Sequence, residues 1–299
     1  MTPLLLDSIF DLEQKDFLNF LTSFSKSIEQ EKVLFYFKED SMQNLVRDMG
    51  WSGEIQGIEP NQDYLSVVHT NISGGKTDNV VKNKIRHSVY PQKDGSLLAT
   101  VELTRSHLGS EDLIFENENN VDYVRFYVPA GSDFVSSEGF NFKPGYLFEH
   151  NLNETNITPD SQLLAIEKDI KIDEASNTRI SSEFGKTAFG NWIQVAPGQE
   201  RTVSITYRLP FSFKINTEKT GLKKWLSFFK QDKTGEKYVL IVDKQLGRGA
   251  EDFVSTLHLT ADQTVLENIT SGGKLEKNNQ EINFISSLEK DGFYGLVFE

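Results

Sequence analysis

The segment Asn71-Ile72-Ser73-Gly74-Gly75-Lys76-Thr77-Asp78 has the residue types of an anion-binding turn. Adjacent glycines adopt φ values closed to other residues, and the amides they expose form a concavity that suits negative charge. Lys76 adds a cation beside them. The segment is not a P-loop, because residue 70, where that motif needs glycine, is Thr70. The competing reading is a structural turn into a strand beginning near Val80, with Asn71 and Asp78 bonding their own backbone. Asn71, Gly74, Gly75, Lys76 and Asp78 form the candidate ligand-binding set.

A second segment stands out for its charge. Leu222, Trp225, Leu226 and Phe229 suit a short amphipathic helix, with Lys214, Lys219, Lys223, Lys224, Lys230, Lys233 and Lys237 around it. Lys223, Lys224, Trp225, Phe228 and Phe229 are the types that seat a helix on anionic lipid, so peripheral membrane contact is one reading. A helix packed on a sheet with a basic outer face is the other.

The remaining chemistry-bearing residues form no catalytic pattern. His69, His87, His107, His150 and His258 show no His-x-x-x-His spacing, so no helical zinc site is indicated. His69 and His87 are read as able to approach each other in a sheet. Gly109-Ser110 lacks the second glycine of a nucleophile elbow. Glu116 to Asn120 with Asp122 offers hard oxygen ligands without EF-hand spacing, which fits a solvated hairpin loop as well as a calcium site. The absence of cysteine excludes disulfides and thiol catalysis. No catalytic residue, metal or cofactor is implied.

The 299 residues suit two domains or one large β domain with a leading piece. Apolar residues make up 37%, enough for a core, and 22 phenylalanines supply much of its bulk. No apolar run approaches a membrane-spanning helix, and Leu4-Leu5-Leu6 is too short for a signal core. A net charge of −13 repels phosphate backbones, so nucleic acid is not an expected partner.

Residues 1–58 read as an α/β leading segment, helix-strand-helix. Phe17, Leu21, Phe24 and Ile28 make one apolar helical stripe. Val33 to Phe37 reads as a short buried strand. Asp40 or Ser41 is placed to cap a second helix carrying Met42, Leu45, Val46 and Met49, with Gly50 at C′. Residues 59–210 read as an antiparallel β-sandwich. Its strands are expected at Tyr64–His69, Val80–Tyr90, Leu97–Thr104, Tyr123–Val128 and Arg201–Leu209. Lys93-Asp94-Gly95 marks a hairpin, and Val203, Ile205, Tyr207 and Leu209 should face one way. Residues 211–237 are the Lys-rich linker or helix. Residues 238–299 read as a second β unit or as completion of the sandwich. Its strands are expected at Tyr238–Val242, Phe253–Leu259, Thr264–Ile269, Ile282–Ile285 and Phe293–Phe298.

Several strings in order resemble one family. They are Val33 to Asp40 with Gly50-Trp51-Ser52-Gly53-Glu54; Asp63 to Val68 leading to Asn71–Asp78; Val124 to Ser132; Gly185-Lys186-Thr187-Ala188-Phe189-Gly190; and Val195-Ala196-Pro197-Gly198 leading to Thr206–Pro210. Together, over roughly residues 1–260, the chain is similar to the C-terminal half of the bacterial domain of unknown function 4012 family. The resemblance implies a large envelope protein with an N-terminal membrane anchor and a further Gly-rich half upstream. It leaves open whether Met1 is the native start. It carries no catalytic residue over.

The expectation is therefore a non-catalytic interaction or scaffold module of the cell envelope, extracytoplasmic through an upstream anchor. Its partner would be cell-wall glycan or an envelope protein, and its oligomeric state is not indicated. The alternative is the C-terminal part of an enzyme that transfers or processes envelope polymers, with its active site upstream.

Overall fold

A computed structural model of the chain describes residues 8, 9, 11–72, 75–110, 112, 114, 116–141, 160–213 and 235–299. The fold is mainly β, with few helices. The chain divides into two compact units. One runs to Ile55 and includes Leu246–Gly249; the other holds Gln56–Gln245 and Ala250–Glu299.

In the first unit, α1 (Gln14–Glu29) and α2 (Asp40–Asp48) form as the apolar spacing predicts. The cap of α2 differs from expectation. Glu39, not Asp40 or Ser41, is the N-cap, and its side chain accepts from the Ser41 amide. Gly50 takes φ 74° just past the helix end, the left-handed C′ geometry that glycine tolerates best. The Val33–Phe37 strand does not form. Its backbone is held by the Phe35 amide on Trp51 O and the Phe37 amide on the Gln43 side chain. Phe35 and Phe37 stack at 6.5 Å, as alternate residues of an extended segment do. Aromatic β-propensity alone makes no strand where no second strand offers a ladder.

The second unit is a sandwich of two mixed sheets. Its strands are β1 (Asp63–Asn71), β2 (Val81–Pro91), β3 (Leu97–His107), β4 (Asn120–Pro129), β5 (Asp133–Glu138), β6 (Lys168–Ile172), β7 (Arg179–Glu183), β8 (Lys186–Val195), β9 (Glu200–Arg208), β10 (Glu236–Asp243), β11 (Asp252–His258), β12 (Val265–Ser271), β13 (Lys274–Asn278), β14 (Glu281–Ser286) and β15 (Gly292–Phe298). A short helix, α3 (Ser161–Ile166), precedes β6, with Asp160 capping it. One sheet has the order β12-β15-β10-β1-β4-β8-β7-β6, the other β13-β14-β11-β2-β3-β9-β5.

Pairing is antiparallel except at two seams, where β10 lies parallel to β1 and β11 parallel to β2. A parallel neighbour needs a long connection rather than a hairpin. Both seams are where strands from the last 64 residues join strands from the first part of the unit. Three strands of the late set lie in each sheet, β10, β12 and β15 in one and β11, β13 and β14 in the other, and the two sets share one core. Leu65, Phe126 and Phe189 pack in the same cluster as Phe253, Phe284 and Phe298. Each fully buried phenylalanine contributes about 1.5–3 kcal/mol of burial free energy.

Alternation sets which residues enter that core. Along β3, Leu97, Ala99, Val101 and Leu103 are fully buried. Thr100 and Thr104 face out and pair with Thr206 and Thr202 of β9 at 3.0 and 2.8 Å. The β2–β3 hairpin turns at Lys93-Asp94-Gly95, where Gly95 has φ 83°.

Candidate functional site

Four inward-facing stripes of the sandwich change from apolar to polar at the same end. On β1, Leu65 and Val67 are followed by His69 and Asn71; on β4, Phe126 and Val124 give way to Asp122 and Asn120. On β2, Ile85 gives way to Asn83, and on β3, Leu103 gives way to Arg105. Strand register stacks them: Asn71 lies opposite Asp122, and Asn83 opposite Arg105. The result is a buried ionic cluster between the sheets.

His69 lies at its centre. Nδ1 is 2.7 Å from Asp122 Oδ2, and Nε2 is 3.0 Å from Asn83 Nδ2. The Asn83 amide faces Nε2, while Nδ1 faces both Asp122 Oδ2 and the donating Arg105 Nη1. Arg105 Nη1 is 2.8 Å from Asp122 Oδ2 and Nη2 is 2.8 Å from Asn120 Oδ1. The Thr70 amide donates to Asp122 Oδ1 at 2.6 Å, and Asn83 Nδ2 donates to Glu251 Oε1 at 2.5 Å. Burial pushes Asp122 up, but Arg105, His69 and the Thr70 amide together hold it below the usual carboxylate range. Burial, then the neighbouring Arg105, hold His69 below the usual imidazole range, so the ring is neutral at pH 7.

Asn71, Gly75, Thr77 and Asp78 lie at this end. Asn71 Nδ2 donates to Gly75 O at 2.9 Å, and Asn120 Nδ2 donates to Thr77 Oγ1 at 3.0 Å and Asp78 Oδ1 at 3.1 Å. Asp78 Oδ1 also lies 3.8 Å from Arg105 Nη2. Thr77–Val80 forms a 3₁₀ turn leading into β2. Asn71 and Asp78 thus bond inward, to the loop and the buried cluster, while Lys76 is exposed. Gly74 lies outside the described residues. So do Lys223, Lys224, Trp225, Phe228 and Phe229, together with the amphipathic helix expected there.

A second polar group lies deeper in the core. Tyr238 donates to Asp63 Oδ2 at 2.5 Å, and the Tyr64 amide donates to Asp63 Oδ1 at 2.8 Å. His87 Nε2 is 3.6 Å from Asp63 Oδ2, and its Nδ1 is 3.0 Å from Ser255 Oγ, itself 3.1 Å from Tyr294 Oη. Burial pushes Asp63 up to about 7 and His87 down to about 3. Serine, histidine and aspartate in contact are the residue types of acyl transfer. Here all three are fully buried beneath packed aromatic rings, so no substrate carbonyl reaches Ser255. His69 and His87, read from the sequence as able to approach each other, lie in different sheets and bond separate partners. Among the described residues no group of three or more His, Asp or Glu side chains is placed to hold a metal ion.

Sequence reasoning missed both clusters. The signal was present as polar residues at inward positions of otherwise apolar alternations: Asn83 and His87 in β2, Arg105 in β3, Asp122 in β4.

No family model matches the chain, and no curated protein matches it. The resemblance to the 4012 family therefore rests on the quoted strings. Among solved structures, a Legionella pneumophila nutrient binding protein of provisional assignment is 11% identical, with 79% of this chain and 71% of that chain covered and a TM-score of 0.38. An M1 zinc metallopeptidase from Deinococcus radiodurans is 10% identical, covering 72% and 42%, with a TM-score of 0.24. Leukotriene A4 hydrolase from Saccharomyces cerevisiae is 10% identical, covering 73% and 28%, with a TM-score of 0.29. The chain spans less than half the length of the latter two. Likeness at these scores carries no functional argument.

Proposed function

We propose that this chain is a non-catalytic interaction or scaffold module of the bacterial cell envelope, reaching the extracytoplasmic side as part of a longer, anchored protein. One observation carries the reading. In each of the two clusters described above, the acid, base and hydroxyl groups are buried between the sheets and bonded to members of their own cluster. They serve to join sheets rather than to meet a substrate. What the chain offers a partner is its surface and its polar loops, on a rigid sandwich. The envelope location is supported by the ordered strings that resemble the 4012 family.

The test is co-sedimentation of purified chain with isolated cell-wall sacculi, alongside cross-linking in intact cells. The expected result is retention on the wall glycan or on one envelope protein, with no fragments in the supernatant by mass spectrometry. Fragments released in proportion to added chain would overturn the non-catalytic reading. For location, fractionated cells should show a membrane-fraction band well above 34.0 kDa with an antibody to this chain. A soluble band at 34.0 kDa would overturn the anchored reading instead.

A further inference from the structure

Strand register lines up one row of small, uncharged polar residues on the outer face of the second sheet. Asn283 of β14 lies opposite Thr256 of β11, Thr256 opposite Ser88 of β2, and Ser88 opposite Thr100 of β3. Thr100 lies opposite Thr206 of β9, and Thr206 opposite Ser136 of β5. Neighbouring strands stand about 4.8 Å apart, so the row runs for about 24 Å. Alternation turns these side chains away from the core, where their sequence neighbours Val89, Ala99, Val101, Ile205 and Leu257 are fully buried. Solvent reaches every member of the row. Thr256 donates to Asn283 Oδ1 at 2.7 Å, and the Thr100 and Thr206 hydroxyls bond at 3.0 Å. A hydroxyl has one donor and two acceptor positions, so each keeps capacity for a ligand.

The outward positions on either side of the row are larger. On one side stand His258, Tyr90, Leu98 and Arg208, with the His258 and Tyr90 rings stacked at 4.1 Å. On the other stand Val254, Arg86 and Glu102. The row is thus the floor of a shallow trough across the strands, with about 13 Å between the backbones of its walls. Charge on the walls is matched. Arg86 lies opposite Glu102, and Arg208 is 3.7 Å from Asp94.

These features select among polymers. A protein strand joins a sheet at its edge, through unpaired backbone groups. Beneath the trough, β11, β2, β3 and β9 already have a neighbour on each side. The floor also lacks the aromatic and arginine anchors of protein interfaces. An anionic polymer would call for cations in the floor, and the row has none. A neutral polyol suits it, with hydroxyls repeating at close to the strand spacing and apolar ring faces to set against the walls.

We propose that this trough binds an uncharged, extended β-1,4-linked glycan strand lying across β14, β11, β2, β3, β9 and β5. The inference rests on the interaction-module reading and supplies its partner class and its surface.

Calorimetric titration of the full chain with chitohexaose and with cellohexaose tests this. At least one should bind saturably. Ser88→Val with Thr100→Val removes two floor hydroxyls and should weaken binding about tenfold or more. Thr100→Arg fills the floor and should abolish it. Thr104→Arg, on the same strand but beyond the Glu102 wall, should bind as wild type does. Thermal melts confirm that each variant is folded; should Thr100→Arg fail to fold, the double valine variant still decides. No binding of either oligosaccharide, or equal binding by wild type and the double valine variant, overturns the trough. Cell-wall sacculi distinguish the two levels. Equal retention of wild type and the trough variants overturns the trough and leaves the interaction module standing. A wild type retained by neither sacculi nor any cross-linked envelope protein overturns both.

Discussion

The two buried polar clusters share strands yet differ in charge. β1 supplies Asp63 to the deep cluster and His69 to the outer one, and β2 likewise supplies His87 and Asn83. Each cluster sets an aspartate beside a histidine, with both side chains excluded from water. In the outer cluster Arg105 approaches Asp122 at 2.8 Å, and the aspartate stays ionised. In the deep cluster no cation is among the groups that shift Asp63, and burial pushes it up to about 7. Burial acts the same way at both places. The guanidinium decides which carboxylate keeps its charge.

The largest expected effect comes from removing that difference. Arg105→Met leaves Asp122 buried without its cation, which costs about 3–5 kcal/mol, a large share of the stability of an ordinary domain. Urea denaturation at pH 7 should show it as a fall in midpoint. Asp122 should then behave as Asp63 does, so that part of the loss returns on acidification. Adding Asp122→Asn should recover much of the loss at pH 7 by removing the stranded charge. A single variant as stable as wild type would mean that Arg105 does not set the ionisation of the outer cluster.

The deep cluster predicts a compensation. Asp63 is raised, so its contribution is fully present below its unfolded value of 3.8 and is lost as pH rises through about 7. His87 is depressed, so its contribution is present above its unfolded value of 6.5 and is lost as pH falls through about 3. Between about pH 4 and 6.5 the two slopes cancel. The unfolded chain carries its proton on the imidazole, and the folded chain carries one proton on the pair, whichever atom holds it. Single variants should unmask each slope. Relative to wild type, His87→Phe should lose stability by about 1.4 kcal/mol per unit as pH rises from 4 to 6.5. Asp63→Asn should gain at the same rate over that range. Urea midpoints at half-unit pH steps measure both, and parallel profiles for the three proteins would rule the compensation out.

Much of this sandwich is legible in the sequence, for reasons that also show where reading stops. Val203, Ile205, Tyr207 and Leu209 alternate with polar residues, and each faces the core as that period requires. Lys93-Asp94-Gly95 specifies its hairpin through local turn chemistry alone. The edge strands β5, β6 and β13 carry weak patterns, such as Lys168-Asp169-Ile170-Lys171-Ile172, because one side of an edge faces water. Val33–Phe37 fails the other way, since strand propensity is strong there but no ladder partner exists. The parallel seams β1–β10 and β2–β11 are set by contacts across more than 160 residues, which no local period encodes. The clusters combine both difficulties. Asn83, His87, Arg105 and Asp122 are visible as polar interruptions of inward stripes, but their meeting depends on register and on which strands face across the core.

The smallest expected effect tests whether hydroxyls near Asp63 act through their bonds or only through their bulk. Tyr238 and Tyr207 are both fully buried, and the Asp63 charge pushes both phenols further up. Tyr238 donates to Asp63 at 2.5 Å, whereas Tyr207 Oη is buried with no hydrogen-bond partner. Deleting a bonded hydroxyl exposes its partner to an unmet demand; deleting an unbonded one removes a desolvation cost. Tyr238→Phe should therefore destabilise by about 1–3 kcal/mol and raise Asp63 further, moving the pH profile of the deep cluster to higher pH. Tyr207→Phe, with the same change of one oxygen, should be neutral or stabilising by up to about 1 kcal/mol and leave the profile in place. Thermal and urea melts of the pair measure the difference. Equal losses in both would show that packing of the rings, rather than the bond to Asp63, governs this part of the core.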